Sequence, residues 1–116
     1  MAMLTLVGML ATYGCGLPCA SGIVANFRAE VGPSLDPCTV GRSGIGLAQW
    51  AGTRRKRLLT TLGKSWCDPG KQVAFMVTEL REFGLLDRLW RSTDPAEVAR
   101  LFMAEYERPK SRNPRA

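Results

Sequence analysis

Cys19-Ala20-Ser21-Gly22-Ile23-Val24-Ala25-Asn26-Phe27-Arg28-Ala29-Glu30-Val31-Gly32-Pro33 is the stretch on which the reading of this chain turns. Ile23, Val24, Phe27 and Val31 recur at the spacing of one helix face, and Gly32-Pro33 stops the run. The pattern predicts an amphipathic helix from about residue 19 to 31, with its apolar stripe against a core. Glu30 falls at the edge of that stripe rather than on the solvent side. Partial desolvation and the negative end of the helix dipole both favour the protonated acid there. Such an acid is suited to proton donation in catalysis, the plain alternative being an ordinary exposed helix glutamate.

Upstream, Leu4, Val7, Leu10 and Ala11 recur at helical spacing and predict a first helix over residues 1–11. That segment lacks a basic leading region and a clear small-residue cleavage site, so it reads as a helix rather than an export signal. It is too short to span a bilayer. Gly14 and Gly16 end it. Downstream, glycine and proline punctuate residues 33–52, and Ser43-Gly44-Ile45-Gly46-Leu47-Ala48-Gln49-Trp50 reads as a loop or a small β-like excursion. Thr53 is the expected N-cap of a basic helix running to about Leu62. Asp68-Pro69 opens a helix carrying Val73, Phe75, Met76, Val77 and Leu80, which Gly84 ends. Leu85, Leu86, Leu89 and Trp90 predict a short helix. Asp94-Pro95-Ala96-Glu97 resembles a capping box and starts a last helix that buries Val98, Leu101, Phe102 and Tyr106. The expected fold is mainly α, a small single domain over residues 1–109 with a glycine-rich excursion after the second helix. Residues 110–116 are expected to form a basic, flexible tail.

A chain of 116 residues makes one domain and can bury a real core. Its net charge is +6, concentrated in Arg54-Arg55-Lys56-Arg57 and in the tail. That balance suits an anionic cell-envelope surface, a solvated helix face being the plain alternative. The basic run lacks the aromatic interleaving or motif that would favour nucleic acid, so no nucleic-acid partner is expected. There is no histidine, which removes Ser–His and Cys–His nucleophiles and any histidine zinc site. Cysteines stand at 15, 19, 38 and 67 without a CxxC pair, so neither a metal nor a cofactor is expected. The even count allows two disulfides in three connectivities. Cys15 and Cys19, if one helical turn apart, face the same side and would each reach Cys38 or Cys67 more easily than one another. Four buried thiols are the alternative.

Taken together, Asn26-Phe27-Arg28-Ala29-Glu30, Leu35-Asp36-Pro37, the Gly44-Ile45-Gly46-Leu47-Ala48-Gln49-Trp50 segment followed by Arg54-Arg55, and Tyr106-Glu107-Arg108-Pro109 resemble the phage-tail lysozyme family. That family belongs to the lysozyme-like superfamily, with the lytic transglycosylases as relatives. The resemblance implies a lysozyme-like fold. It also implies cleavage of the β-1,4 bond between N-acetylmuramic acid and N-acetylglucosamine in bacterial peptidoglycan. Glu30 would be the general acid and later the base. Val31 departs from the pattern, since relatives commonly carry Ser after the catalytic Glu. The segment around Gln49 is similar to the glycine–apolar–glutamine motif of transglycosylases, whose amide offers a donor and an acceptor to a sugar. Trp50 would stack on a sugar face, and Tyr106 is similar to a tyrosine that faces the catalytic Glu, both also being ordinary core residue types. Asp36 is the nearest second carboxylate, though Leu-Asp-Pro also suits a turn. With one clear acid, either water or the sugar's own C6 hydroxyl can attack. The implied setting is a phage virion, beside tail or other virion proteins, or release to the host cell envelope or periplasm. The alternative is a non-catalytic lysozyme-like module of a virion, structural or glycan-binding.

Overall fold

In the computed structural model residues 1–107 are described; Arg108, Pro109 and the basic tail expected over 110–116 lie outside the described residues. Helix α1 (Met3–Ala11) buries Leu6 and Leu10, while Leu4 is 81% exposed. The inner face is thus rotated from the Leu4, Val7, Leu10 stripe expected from spacing. A helix with no charged residue offers hydropathy little to tell its two faces apart, and contact with the following helices decides it.

Helix α2 (Leu17–Val31) begins at Leu17, ahead of Cys19, because Gly16 caps it in an extended conformation and Pro18 pre-sets its first turn. It ends at Gly32, whose φ of 88° is open to glycine at little cost. Ile23, Val24 and Phe27 enter the core. The chain then forms strands β1 (Gly44–Ile45) and β2 (Trp50–Ala51), antiparallel with Gly44 opposite Ala51 and Ile45 opposite Trp50. Val40 bridges to Ile45. The excursion expected from the glycines is therefore a minimal hairpin.

Helix α3 (Gly52–Leu62) follows β2 directly. Its N-cap is Ala51 without a side-chain cap, so the expected Thr53 cap is corrected: the last extended residue is the strand's own end, and Thr53 lies exposed inside the helix. After a 3₁₀ turn (Gly63–Ser65), helix α4 (Pro69–Glu82) is capped by Asp68, which accepts from Gly70 N–H at 2.9 Å and Lys71 N–H at 3.3 Å. Helix α5 (Leu86–Arg91) leads to α6 (Pro95–Leu101), where Asp94 accepts from Ala96 N–H at 3.0 Å. The reciprocal half of a capping box is absent there. Glu97 accepts from Ser92 Oγ at 2.6 Å instead, and the Asp94 N–H goes to that same hydroxyl at 3.2 Å. The last helix runs on as a π-helical stretch (Phe102–Glu107), which turns Phe102 and Tyr106 inward.

Helix α2 packs most extensively on α6. Gly22 permits that approach, because a Cβ there would sit 2.7 Å from the Pro95 carbonyl and from Val98. Asn26 ties the pair by donating to Ala99 O at 2.9 Å. One core runs from Leu6 and Leu10 through Ile23 and Phe27 to Met76, Leu80, Val98 and Phe102. The fold is mainly α and single-cored, as expected.

The cysteine expectation is corrected. Cys38 and Cys67 are bonded to each other, and Cys15 and Cys19 are buried thiols. Neither the cross-pairing nor four free thiols is found. Cys15 and Cys19 sit in the core beneath the α1–α2 corner, whereas Cys38 is exposed and Cys67 half-buried, beside the two ends of the hairpin–α3 segment.

Candidate active site

Glu30 sits in the last turn of α2, half-buried, on the same side as the buried Ile23 and Phe27. Gly32 N–H closes the helix on Arg28 O at 2.8 Å, a bond that spans Glu30. The helix thus holds Glu30 on rigid backbone where the core meets solvent. Val31 beside it is itself half-buried against the core.

The hairpin is built around Gln49. This residue has φ 53°, in the left-handed region that a non-glycine residue occupies only at a cost of about 1–2 kcal/mol. Its Nε2 donates to Gly46 O at 2.9 Å and to Thr39 O at 3.3 Å. The side chain fills the loop so closely that a Cβ on Gly41 would lie 2.1 Å from Gln49 Oε1, and the Gln49 backbone comes so near Gly44 that a Cβ there would lie 2.3 Å from the Gln49 carbonyl oxygen. The amide that sequence offered to a sugar is turned to the loop's own backbone. Strained non-glycine backbone of this kind concentrates at functional sites.

A second glutamine, which sequence reading passed over, fixes the hairpin from behind. Gln72 on α4 is fully buried; its Oε1 accepts from Leu47 N–H at 2.9 Å, and its Nε2 donates to Pro37 O at 2.8 Å and Trp66 O at 2.6 Å. Its three partners belong to three chain segments, two of them adjoining Cys38 and Cys67. Three backbone groups and both ends of the buried amide are satisfied at once.

Trp50 and Tyr106 are brought together, but in the core. They are 1% and 0% exposed, and Trp50 Nε1 donates to Tyr106 OH at 2.9 Å. Both meet Glu79 of α4, itself 1% exposed. Its Oε1 accepts from Trp50 Nε1 at 3.1 Å, Tyr106 OH at 2.8 Å and Arg54 Nη2 at 2.9 Å. Arg54 also donates to Tyr106 O at 2.7 Å and lies over the rings of Tyr106 and Phe83. Burial opposes the Arg54 charge, but Tyr106 and Glu79 outweigh it and hold the guanidinium above its usual range. Burial pushes the Tyr106 phenol well above its ordinary value, and the Glu79 charge adds to this. Sequence placed Trp50 and Tyr106 against a sugar; in the structure both are buried, bonded to each other and to Glu79. Sequence alone leaves Glu79 as one helix carboxylate among several. A signal existed: Gln72 and Glu79 stand seven apart, on the stripe of Val73, Met76 and Leu80.

The basic run divides. Arg54 is committed inward, and Arg57 makes a paired contact with Glu82 at 2.6 and 2.7 Å, which holds that carboxyl below its usual range. Arg55 and Lys56 are exposed. Asp36 is exposed as well; its Oδ1 accepts from Cys38 N–H at 2.9 Å and its carbonyl from the Thr39 hydroxyl at 2.7 Å, so it shapes the turn leading to the disulfide. A concavity of about 630 Å³ opens between α2 and α6, with Ala29 but not Glu30 among its lining residues. Among the described residues no group of three or more metal-ligating side chains gathers, and no helix is long and apolar enough to cross a membrane.

The described residues form a small, mainly helical single domain of six α-helices with one glycine-rich hairpin, an architecture consistent with a lysozyme-like fold. The phage tail lysozyme family profile matches residues 3–115, nearly the whole chain, and the chain belongs to that family. Its function is accordingly phage lysozyme-like, with peptidoglycan as the substrate class. No curated protein and no solved structure gave a match.

Proposed function

We propose that the chain cleaves the β-1,4 bond between N-acetylmuramic acid and N-acetylglucosamine, as a phage lysin carried on the virion or released against the host envelope. The observation that carries this reading is Glu30: a family-motif carboxylate, half-buried on a rigid helix end and open to solvent on one side. Protonated Glu30 gives its proton to the glycosidic oxygen as the bond to C1 breaks. The resulting carboxylate then takes a proton from the attacking oxygen, either of water or of the sugar's C6 hydroxyl. The first gives hydrolysis and the second a 1,6-anhydro product. No second acid is required by either route, and Asp36 serves its turn.

In this reading Gln49 acts by shaping the hairpin against which the glycan lies, and Trp50 and Tyr106 hold that hairpin from beneath. Arg55 and Lys56 supply the attraction to an anionic envelope. Val31 in place of the family's Ser favours the second reading, a glycan-holding virion module without turnover. Purified sacculi separate the two. Wild type is expected to clear a sacculus suspension and Glu30→Gln to leave it turbid. Mass spectrometry of the released muropeptides then distinguishes reducing from 1,6-anhydro ends. Failure of the wild type on sacculi of every chemotype, with binding retained, establishes the module instead.

A further inference from the structure

Ala25 and Ala29, four residues apart on α2, line an open trough of about 630 Å³ with Ala99, Met103 and Ala104 of α6 and its π-helical continuation. Ala25, Ala29, Met103 and Ala104 are exposed. The trough adjoins a second concavity of about 570 Å³: Arg100 and Ala104 line both, and Arg88, Arg91 and Glu97 line the second. We propose that the trough is a docking site for an amphipathic α-helix of another protein, apolar along its buried face and acidic where it passes the arginines.

The walls fit a helix. Alanines on two neighbouring helices let the backbone of a third lie close, with its side-chain ridges in the seam. Met103, 38% exposed, adds an unbranched thioether that adapts to what it meets. The same walls offer a sugar little. Asn26 is the one polar side chain there besides Arg100, and its Nδ2 donates to Gly22 O at 3.2 Å and Ala99 O at 2.9 Å, which spends both hydrogens. A lipid chain is held where bulky side chains close around it, and alanines leave this trough open.

Charge selects the sign of the partner. Arg88 meets Glu105 at 3.5 Å, and Glu97 accepts from Ser92 Oγ at 2.6 Å. Arg91 and Arg100 stand exposed beside them, so the second concavity keeps an excess of positive charge, and a carboxylate-bearing segment is its complement. This chain does not supply one. Its largest exposed apolar side chains include Met3, Leu4 and Leu17, in a stretch with no charged residue before Arg28. Residues 108–116 bring Arg108, Lys110, Arg112 and Arg115 and no acidic side chain. Neither a second copy's α1 nor the chain's own C-terminal residues match the arginines. The inference is independent of the glycosidase reading, since Glu30 is not among the residues that line the trough.

The test selects a displayed library of helical peptides on the immobilised full chain. Each peptide carries Leu at spacing i, i+3, i+4 and i+7, and its other positions are drawn from Ala, Ser, Glu and Lys. The expected selectants are richer in Glu than in Lys. Their affinity is expected to fall at least about tenfold for Arg91→Glu/Arg100→Glu, where like charges then meet. It is expected to be lost for Ala25→Trp, which fills the trough, while Arg55→Glu/Lys56→Glu, an equal change of charge elsewhere, leaves the peptides bound. Circular dichroism checks that each variant folds, and Met103→Glu on the opposite wall stands in for Ala25→Trp if that variant does not. No enrichment, Lys-rich selectants, or peptides indifferent to the trough variants overturn the proposal. Flotation with phosphatidylglycerol vesicles that Ala25→Trp abolishes overturns it in favour of a lipid. A dimer in sedimentation equilibrium that Ala25→Trp dissolves overturns it in favour of a second copy.

Discussion

Glu79 shows how one buried charge can organise a surface it never reaches. Its carboxylate joins β2, α3, α4 and the terminal π-helical stretch through Trp50, Arg54 and Tyr106. Removing one partner of a buried ion pair strands the other, at a cost of about 3–5 kcal/mol. Because the Arg54 side chain retains 21% exposure, Glu79→Gln is expected near the lower end, about 3 kcal/mol in urea unfolding, with Glu79→Asp retaining part of the stability. Glu30→Gln belongs to the opposite class. On the proposed mechanism it loses about 10²–10⁴-fold in sacculus clearing, the range of general acid catalysis, with its urea midpoint unchanged. A midpoint that fell with activity would mark Glu30 as structural. Glu30 was legible in the sequence because a stop signal and an apolar stripe bracket it. Glu79 was not, because its value comes from residues far apart in the chain that only folding brings near.

At the scale of elements, the hairpin is fastened by Gln72 behind it and by the Cys38–Cys67 bond at its base. The bond spans a sequence separation of 29, so the chain-entropy relation assigns it about 3–4 kcal/mol. Cys38→Ala/Cys67→Ala is expected to lower unfolding stability by that amount, without disturbing the Leu6–Phe27–Met76 core. Tryptophan fluorescence and circular dichroism will show whether the helices persist. Gly44→Ala probes the loop itself. Its new Cβ would lie 2.3 Å from the backbone oxygen of Gln49, which has no free rotation to yield, and the expected cost is about 1–3 kcal/mol. The hairpin's existence followed from its glycines. The inward turn of the Gln49 amide and the Ala51 cap of α3 did not, since both depend on where β2 ends.

For the whole molecule, pH reports on the buried network. Tyr106 has a folded pKa well above its ordinary value of 10.0. Below that value both folded and unfolded states hold the phenol proton, and the contribution to stability is fully present. As pH rises past it, the unfolded chain releases the proton and the folded one cannot, so stability is lost. The expected slope is about 1.4 kcal/mol per pH unit above pH 10. Urea midpoints measured at successive alkaline pH values check this, and Tyr106→Phe should remove the slope. The net charge of +6 acts at the same scale. Binding to anionic sacculi is expected to weaken as salt rises, and Arg55→Glu/Lys56→Glu to weaken it further.

By itself the sequence determined the helical class, the breaks between helices, the glycine-rich excursion and the family motif around Glu30. These rest on periodicity, capping residues and turn chemistry, all of which act over a few neighbours. Tertiary structure decided which face of α1 turned inward, which cysteines paired, and that Trp50 and Tyr106 are buried together around Glu79. Each of those outcomes turns on which distant groups meet once the core closes, and a buried polar side chain must find its partners there.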